Sequence, residues 1–215
     1  MAFFFAGKTS SKNRSPAARA VAVFLLAVLL AGCAALFGWD IHAPGVLSRS
    51  FYGRPVSPQR IALYFPPQMV NEVSHNKGGR FADPQTYHVG EALVPMLIEA
   101  FQQSFSEFIL LETEPSENIL QGYGIPYLVT VSAPVLGNRV SLKGQMLELT
   151  TQVEVYGPQL QRLVAFQARG SSDAEAVFSK KGGPEVNLNA AVERNLIATV
   201  DFLHDWLRQT EEAGV

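Results

Sequence analysis

The run Ala20-Val21-Ala22-Val23-Phe24-Leu25-Leu26-Ala27-Val28-Leu29-Leu30, closed by Ala31-Gly32 and Cys33, constrains this chain more than any other feature. Ahead of it stand Lys8, Lys12, Arg14 and Arg19 and no acidic residue. A basic leader, a short apolar core and small residues at its end are the parts of a secretory signal, so residues 1–32 are expected to be removed and to contribute nothing to the fold. Cys33 is the one cysteine of the chain, which excludes an intrachain disulfide and any cluster of thiolates around a metal.

The tetrad Leu30-Ala31-Gly32-Cys33 resembles the lipobox of bacterial lipoproteins. The resemblance implies that the Cys33 thiol is joined to diacylglycerol and that signal peptidase II then cuts before it, the small side chains of Ala31 and Gly32 letting the extended peptide fit. Each buried methylene is worth about 0.8 kcal/mol, so two or three acyl chains hold a protein on its membrane where one would not. Enterobacterial lipoproteins kept in the inner membrane carry Asp after the lipidated cysteine; Ala34 stands there, which implies the outer membrane with the domain facing the periplasm. The competing reading is an uncleaved membrane-spanning helix, because the apolar run continues through Ala34, Ala35, Leu36 and Phe37 to Trp39, about 20 residues and enough to cross a bilayer.

Residues 33–59 hold Gly38, Pro44, Gly45, Gly53, Pro55 and Pro58 with little periodicity and are expected to form a lipidated tether ahead of one domain at 60–210. Arg60 to Phe65 has the composition of a core strand stopped by Pro66-Pro67. The polar stretch Asn71–Thr86 is expected to be a long loop. Val89, Leu93, Met96, Leu97, Ala100, Phe101, Phe105 and Phe108 recur at helical spacing and predict a helix over 90–106, with Pro95 either kinking it or delaying its start to Val94. Phe108–Glu112 follows as a strand. Strands are then expected over 126–133, 145–156 and 161–169, the middle one alternating Leu147, Leu149, Thr151, Val153 and Val155 with Glu148, Thr150, Gln152, Glu154 and Tyr156. Leu188, Val192, Leu196, Val200, Leu203 and Leu207 predict a last helix. The order β-α-β-β-β-β-α is that of an α+β domain, a mixed sheet with two helices packed on one face. That outline, together with the lipobox, is similar to small periplasmic accessory lipoproteins such as the lipopolysaccharide-assembly lipoprotein and the auxiliary lipoproteins of ABC transporters.

Past residue 32 the chain has 13 basic and 19 acidic residues, a net charge near −6, and no basic stripe interleaved with aromatics. Nucleic acid is not an expected partner. No Gly-x-Ser-x-Gly elbow is present, and neither Gly78-Gly79 nor Lys180-Lys181-Gly182-Gly183 follows the pattern of a phosphate loop, although the two lysines could touch anionic headgroups. The residue types suited to acid, base or metal chemistry gather once, as His75, Asp83, His88 and Glu91, which could hold a cation if the loop folded back on itself. His204-Asp205 in the last helix is expected to face water. No catalytic residue, cofactor or metal is assigned. Phe51, Tyr52, Ile119, Leu120 and Tyr123 lie among polar and glycine residues, as partner contacts or as minor core plugs. The expected function is that of a non-catalytic accessory or assembly component of an envelope transport or biogenesis complex, anchored through Cys33 and bound to another envelope protein. A lipid- or glycolipid-binding module is the first alternative and a hydrolase the second.

Overall fold

Alternation along one strand organises the sheet. In the computed structural model, which describes residues 38–78, 83–141, 144–173 and 183–213, Leu147, Leu149, Thr151, Val153 and Val155 are completely buried, while their neighbours Glu148, Thr150, Gln152, Glu154 and Tyr156 keep partial exposure. The chain divides after Gly38, and of the first unit only Gly38 is among the described residues, so the expected signal segment and Cys33 lie outside them. In the second unit the strands are β1 (Trp39–Ile41), β2 (Ser57–Tyr64), β3 (Val73–Asn76), β4 (Gln85–His88), β5 (Phe105–Leu110), β6 (Tyr127–Ser141), β7 (Gly144–Tyr156) and β8 (Arg162–Ser171). The α-helices are α1 (Val89–Ser104), α2 (Glu117–Gly122) and α3 (Pro184–Glu212).

A five-stranded sheet runs β5-β2-β6-β7-β8, parallel among the first three strands and antiparallel among the last three. The fold is α+β, and in this sheet and its two long helices the order β-α-β-β-β-β-α holds. α1 turns inward Ala92, Leu93, Met96, Leu97, Ala100 and Phe101, and α3 turns inward Leu188, Val192, Leu196, Val200, Leu203 and Leu207. Helix α1 passes through Pro95 without stopping. A proline there leaves the Glu91 carbonyl without its usual donor, and Gly45 passes so close to that carbonyl that a Cβ would lie 3.1 Å from the oxygen. The helix ends at Ser104, two residues before the expected limit, because Phe105 and Phe108 belong to β5.

Helix α3 lies very near the β7–β8 pair. A Cβ on Gly170 would stand 2.1 Å from the Asn195 amide nitrogen and 2.2 Å from the Ala191 carbonyl oxygen. The Asn195 side chain, 1% exposed, bridges the two layers. Its Nδ2 donates to the carbonyls of Leu149 (3.2 Å) and Ala168 (3.1 Å), and its Oδ1 accepts from the Thr151 hydroxyl at 3.0 Å.

The other sheet face is plugged by α2, a short helix the sequence pattern does not announce, with its first turn capped by Ser116. Leu120 from it joins Ile125, Ala62 and Leu128 in a second small core. β6 bulges between Ser132 and Val135, where Ala133 has φ +49° and Pro134, which has no N–H to donate, falls at the break in the ladder.

Two expectations are corrected. Within the 71–86 stretch read as a loop, β3 and β4 form a second, three-stranded sheet of order β1-β4-β3. The 33–59 stretch read as a tether is part of the fold from Trp39 onward, so the domain begins there and not at residue 60. Ile41, Leu47 and Phe51 are buried to 4% exposure or less. The segment is fastened along α3 by Val46 to Asn189, Ser48 to Glu193, Arg54 to Asp201 and Gln59 to Glu211, and to α1 by the Tyr52 hydroxyl, which donates to Glu99. These strands have three or four residues, too few for a period of two to show, and the segment's polar pairs depend on a helix about 150 residues away in the chain.

Leu149→Asp or Val153→Asp is expected to unfold the domain, since an uncompensated charge in this core has no partner, whereas Glu148→Ala or Gln152→Ala should change the unfolding free energy read from urea denaturation by no more than about 0.5 kcal/mol. Equal losses from the two pairs would place the wrong face of β7 in the core.

Candidate functional site

β1 and β4 lie parallel in register, Asp40 beside Thr86 and Ile41 beside Tyr87. Strand alternation therefore sends Ile41, Gln85 and Tyr87 into the interior and Asp40, His42, Thr86 and His88 to the outer face. On the inner side, the Tyr87 hydroxyl donates to Gln85 Oε1 (2.7 Å) and accepts from Asn138 Nδ2 (3.1 Å) and Gln145 Nε2 (2.5 Å), a buried network tying the small sheet to the β6–β7 hairpin. Burial pushes the Tyr87 phenol up.

On the outer side the rings of His42 and His88 stack, centroids 3.9 Å apart and planes 16° from parallel. Both Nδ1 atoms face the carboxylate of Glu91 in the first turn of α1, His42 at 2.7 Å and His88 at 3.5 Å. His88 Nε2 faces Asp40 at 3.7 Å. The His42 ring nitrogen beside it holds the Glu91 carboxyl below the usual carboxylate range. His42, His88 and Glu91 each offer one ligand atom, all within 4.8 Å of one another. Of the four residues singled out in the sequence, His88 and Glu91 meet here; His75 pairs instead with Thr86 on the neighbouring strand (3.3 Å), and Asp83 stands exposed before β4. Asp40 and His42 escaped notice because they lie about 50 residues away in a stretch with no strand pattern.

His204 does not face water. Its Nε2 meets the carbonyl oxygen of Ser104 at 3.0 Å, satisfying the end of α1, and its ring stands edge-on to Phe105. Asp205 pairs with Arg208 one turn on. Lys180, Lys181 and Gly182 lie outside the described residues.

The five proposed partner contacts do not form one surface. Phe51 (1% exposed) and Leu120 (0%) are core plugs, Ile119 is half-buried, and only Tyr52 (47%) and Tyr123 (65%) are open. Tyr52 sits against α1, whereas Tyr123 follows α2 on the other side of the sheet.

An uncharged cleft lies elsewhere, where β6 begins, β7 turns into β8 and α3 ends. It encloses about 580 Å³ among Pro126, Tyr127, Pro158, Leu163 and Trp206, with the amides of Gln161 and Gln209 and the Thr210 hydroxyl among its polar groups. Tyr127 and Trp206 meet edge to face, centroids 5.4 Å apart. The β7–β8 register slips between Val155 and Tyr156, leaving Leu163 as the extra residue of a bulge and 43% exposed. β8 is an edge strand: among the described residues no strand pairs with its outer side. The sequence did carry a signal for this cleft, since Trp206 sits beside, not on, the buried stripe of α3.

No family model matches the chain, and no curated protein matches it. Among solved structures it is similar to a hypothetical protein from Chlamydia trachomatis, 8% identical, with a TM-score of 0.41 over 68% of this chain and 96% of that one. No helix among the described residues is long and apolar enough to cross a membrane.

Proposed function

We propose that this chain is a non-catalytic lipoprotein of the bacterial envelope, anchored through Cys33 in the outer membrane, whose periplasmic domain holds an extended segment of another envelope protein as an accessory component of a transport or assembly complex. The observation that carries the binding part of this reading is the Tyr127–Trp206 cleft, lined in part by Leu163 of β8, whose outer side pairs with no strand among the described residues. A partner strand can add to such an edge through main-chain hydrogen bonds while one apolar side chain anchors in the adjoining pocket. The cleft lining contains no carboxylate, lysine, arginine or histidine, which suits a neutral anchor, and Trp and Tyr are among the residue types that dominate binding energy at protein interfaces. The lipobox carries the anchoring part.

A glycolipid is the second reading, favoured by aromatic rings set among side-chain amides, an arrangement that suits sugar faces and hydroxyls as well as a peptide.

Two outcomes test these parts separately. Cys33→Ala should leave an uncleaved precursor at the inner membrane, because lipid transfer precedes cleavage; a mutant processed and fractionated like the wild type contradicts the lipoprotein assignment.

With a photo-reactive residue at Gln209 in the native host, a single crosslinked protein band should form and should vanish in Trp206→Ala and in Leu163→Asp, both of which retain a cooperative melt. Removing a buried aromatic anchor of this kind weakens binding by about 2 kcal/mol or more. Crosslinking to glycolipid in place of protein would select the second reading, and a band unchanged by both substitutions would remove the cleft from either.

A further inference from the structure

We propose that His42, His88 and Glu91 bind a divalent transition-metal ion of the zinc class, and that the ion clips the first strand of the domain, β1, to β4 and α1. Three separate elements deliver the three donors. His42 follows β1, His88 closes β4, and Glu91 lies in the first turn of α1, their ligand atoms within 4.8 Å of one another. Two imidazole nitrogens aimed at one carboxylate form a donor set of two nitrogens and an oxygen, which suits zinc, cobalt, nickel or copper and does not suit calcium or magnesium, whose ligands are oxygens.

The outer surroundings of His88 match this use. An imidazole that ligates through one nitrogen commonly gives its other N–H to a carboxylate, which fixes the tautomer and the ring orientation. Asp40 Oδ1 stands 3.7 Å from His88 Nε2, an ion-pair distance longer than a hydrogen bond, while Nδ1 of the same ring faces Glu91.

The stacked rings set one condition. Lone pairs lie in the plane of each ring, and two nearly parallel planes do not point at one ion, so one ring must turn before both nitrogens reach the roughly 2.0–2.1 Å expected for zinc. His42 is the one free to do so, its side chain 54% exposed, against 25% for His88, which is held between two carboxylates. The Glu91 carboxylate, 50% exposed, leaves one side of the cluster open to water for the remaining coordination positions.

A surface contact between a histidine and a glutamate contributes little to folding by itself, typically 0–1 kcal/mol. The strand it sits beside needs more. Among the described residues β1, three residues long, pairs with β4 alone, and on the function proposed above it follows the lipid-linked end of the chain. An ion bridging His42 to His88 and Glu91 joins that strand to the core by bonds that do not depend on its short ladder.

The test uses the full-length chain without a histidine tag, in detergent and stripped with a chelator, titrated with Zn²⁺ and separately with Co²⁺. One equivalent of Zn²⁺ should bind, raise the melting temperature and, as Co²⁺, give visible d–d absorption. His42→Ala and Glu91→Gln should each weaken binding at least tenfold and abolish the thermal shift, while melting in chelator as the wild type does. His75→Ala, an exposed histidine outside the cluster, should bind as the wild type does. Binding that is unchanged in His42→Ala and Glu91→Gln, or equally weakened in His75→Ala, overturns the site. Should either cluster variant fold poorly, hydrogen exchange of the Trp39 and Ile41 amides in the wild type decides: slowing with Zn²⁺ supports the clip, and no change refutes it.

Discussion

The close seating of α3 on the β7–β8 pair governs the rest of the fold. Gly170 allows the backbones to meet at distances no side chain permits, and Asn195 fills the gap with hydrogen bonds to two strands at once. A buried amide with all its partners in place costs little and fixes register, whereas the same amide displaced by a residue would be left unsatisfied. Seating α3 in one position brings Asn189, Glu193 and Asp201 into line for the incoming 43–59 segment. The same seating carries Trp206 to the start of β6, where it builds the cleft with Tyr127.

The two candidate sites lie on different sheets and ask for different chemistry. The cleft is neutral and aromatic, and grows from a helix end, a turn and a bulge at one end of the large sheet. The imidazole–carboxylate cluster grows from strand alternation in the small sheet, which puts a tyrosine on the inner face and the histidines on the outer one. The two duties of β4 therefore alternate along the strand: Gln85 and Tyr87 secure the sheet from within, and Thr86 and His88 present it to solvent.

Long, regular patterns were legible in the sequence and short ones were not. The alternation from Leu147 to Val155 and the stripes of Leu93–Phe101 and Leu188–Leu207 marked the large sheet and both long helices, because each repeats over several turns or strand steps. The ends were less clear: β6 runs to Ser141, past a bulge at Pro134 that reads as a strand stop. The small sheet, the segment from Trp39 to Gln59 and α2 rest on contacts between residues far apart in sequence. Nothing local in Asp40-Ile41-His42 signals that it will pair with Thr86-Tyr87-His88. The same limit applies to the sites: His88 and Glu91 were visible as one turn of a helix start, while His42 and Asp40 were not. Phe51 and Leu120 looked exposed only because their burial depends on that distant packing.

The claim that α3 seated on Gly170 organises the domain is tested most directly by urea denaturation of Gly170→Ala alongside Gly137→Ala. The added methyl at 170 meets helix backbone at 2.1–2.7 Å, whereas at 137 its nearest neighbour lies at an ordinary 3.6 Å. Gly170→Ala should lose about 2–3 kcal/mol, as overpacked cores do, with Gly137→Ala close to the wild type. Equal stability of the two variants would contradict the account, because α3 would then be able to lift from the sheet without cost.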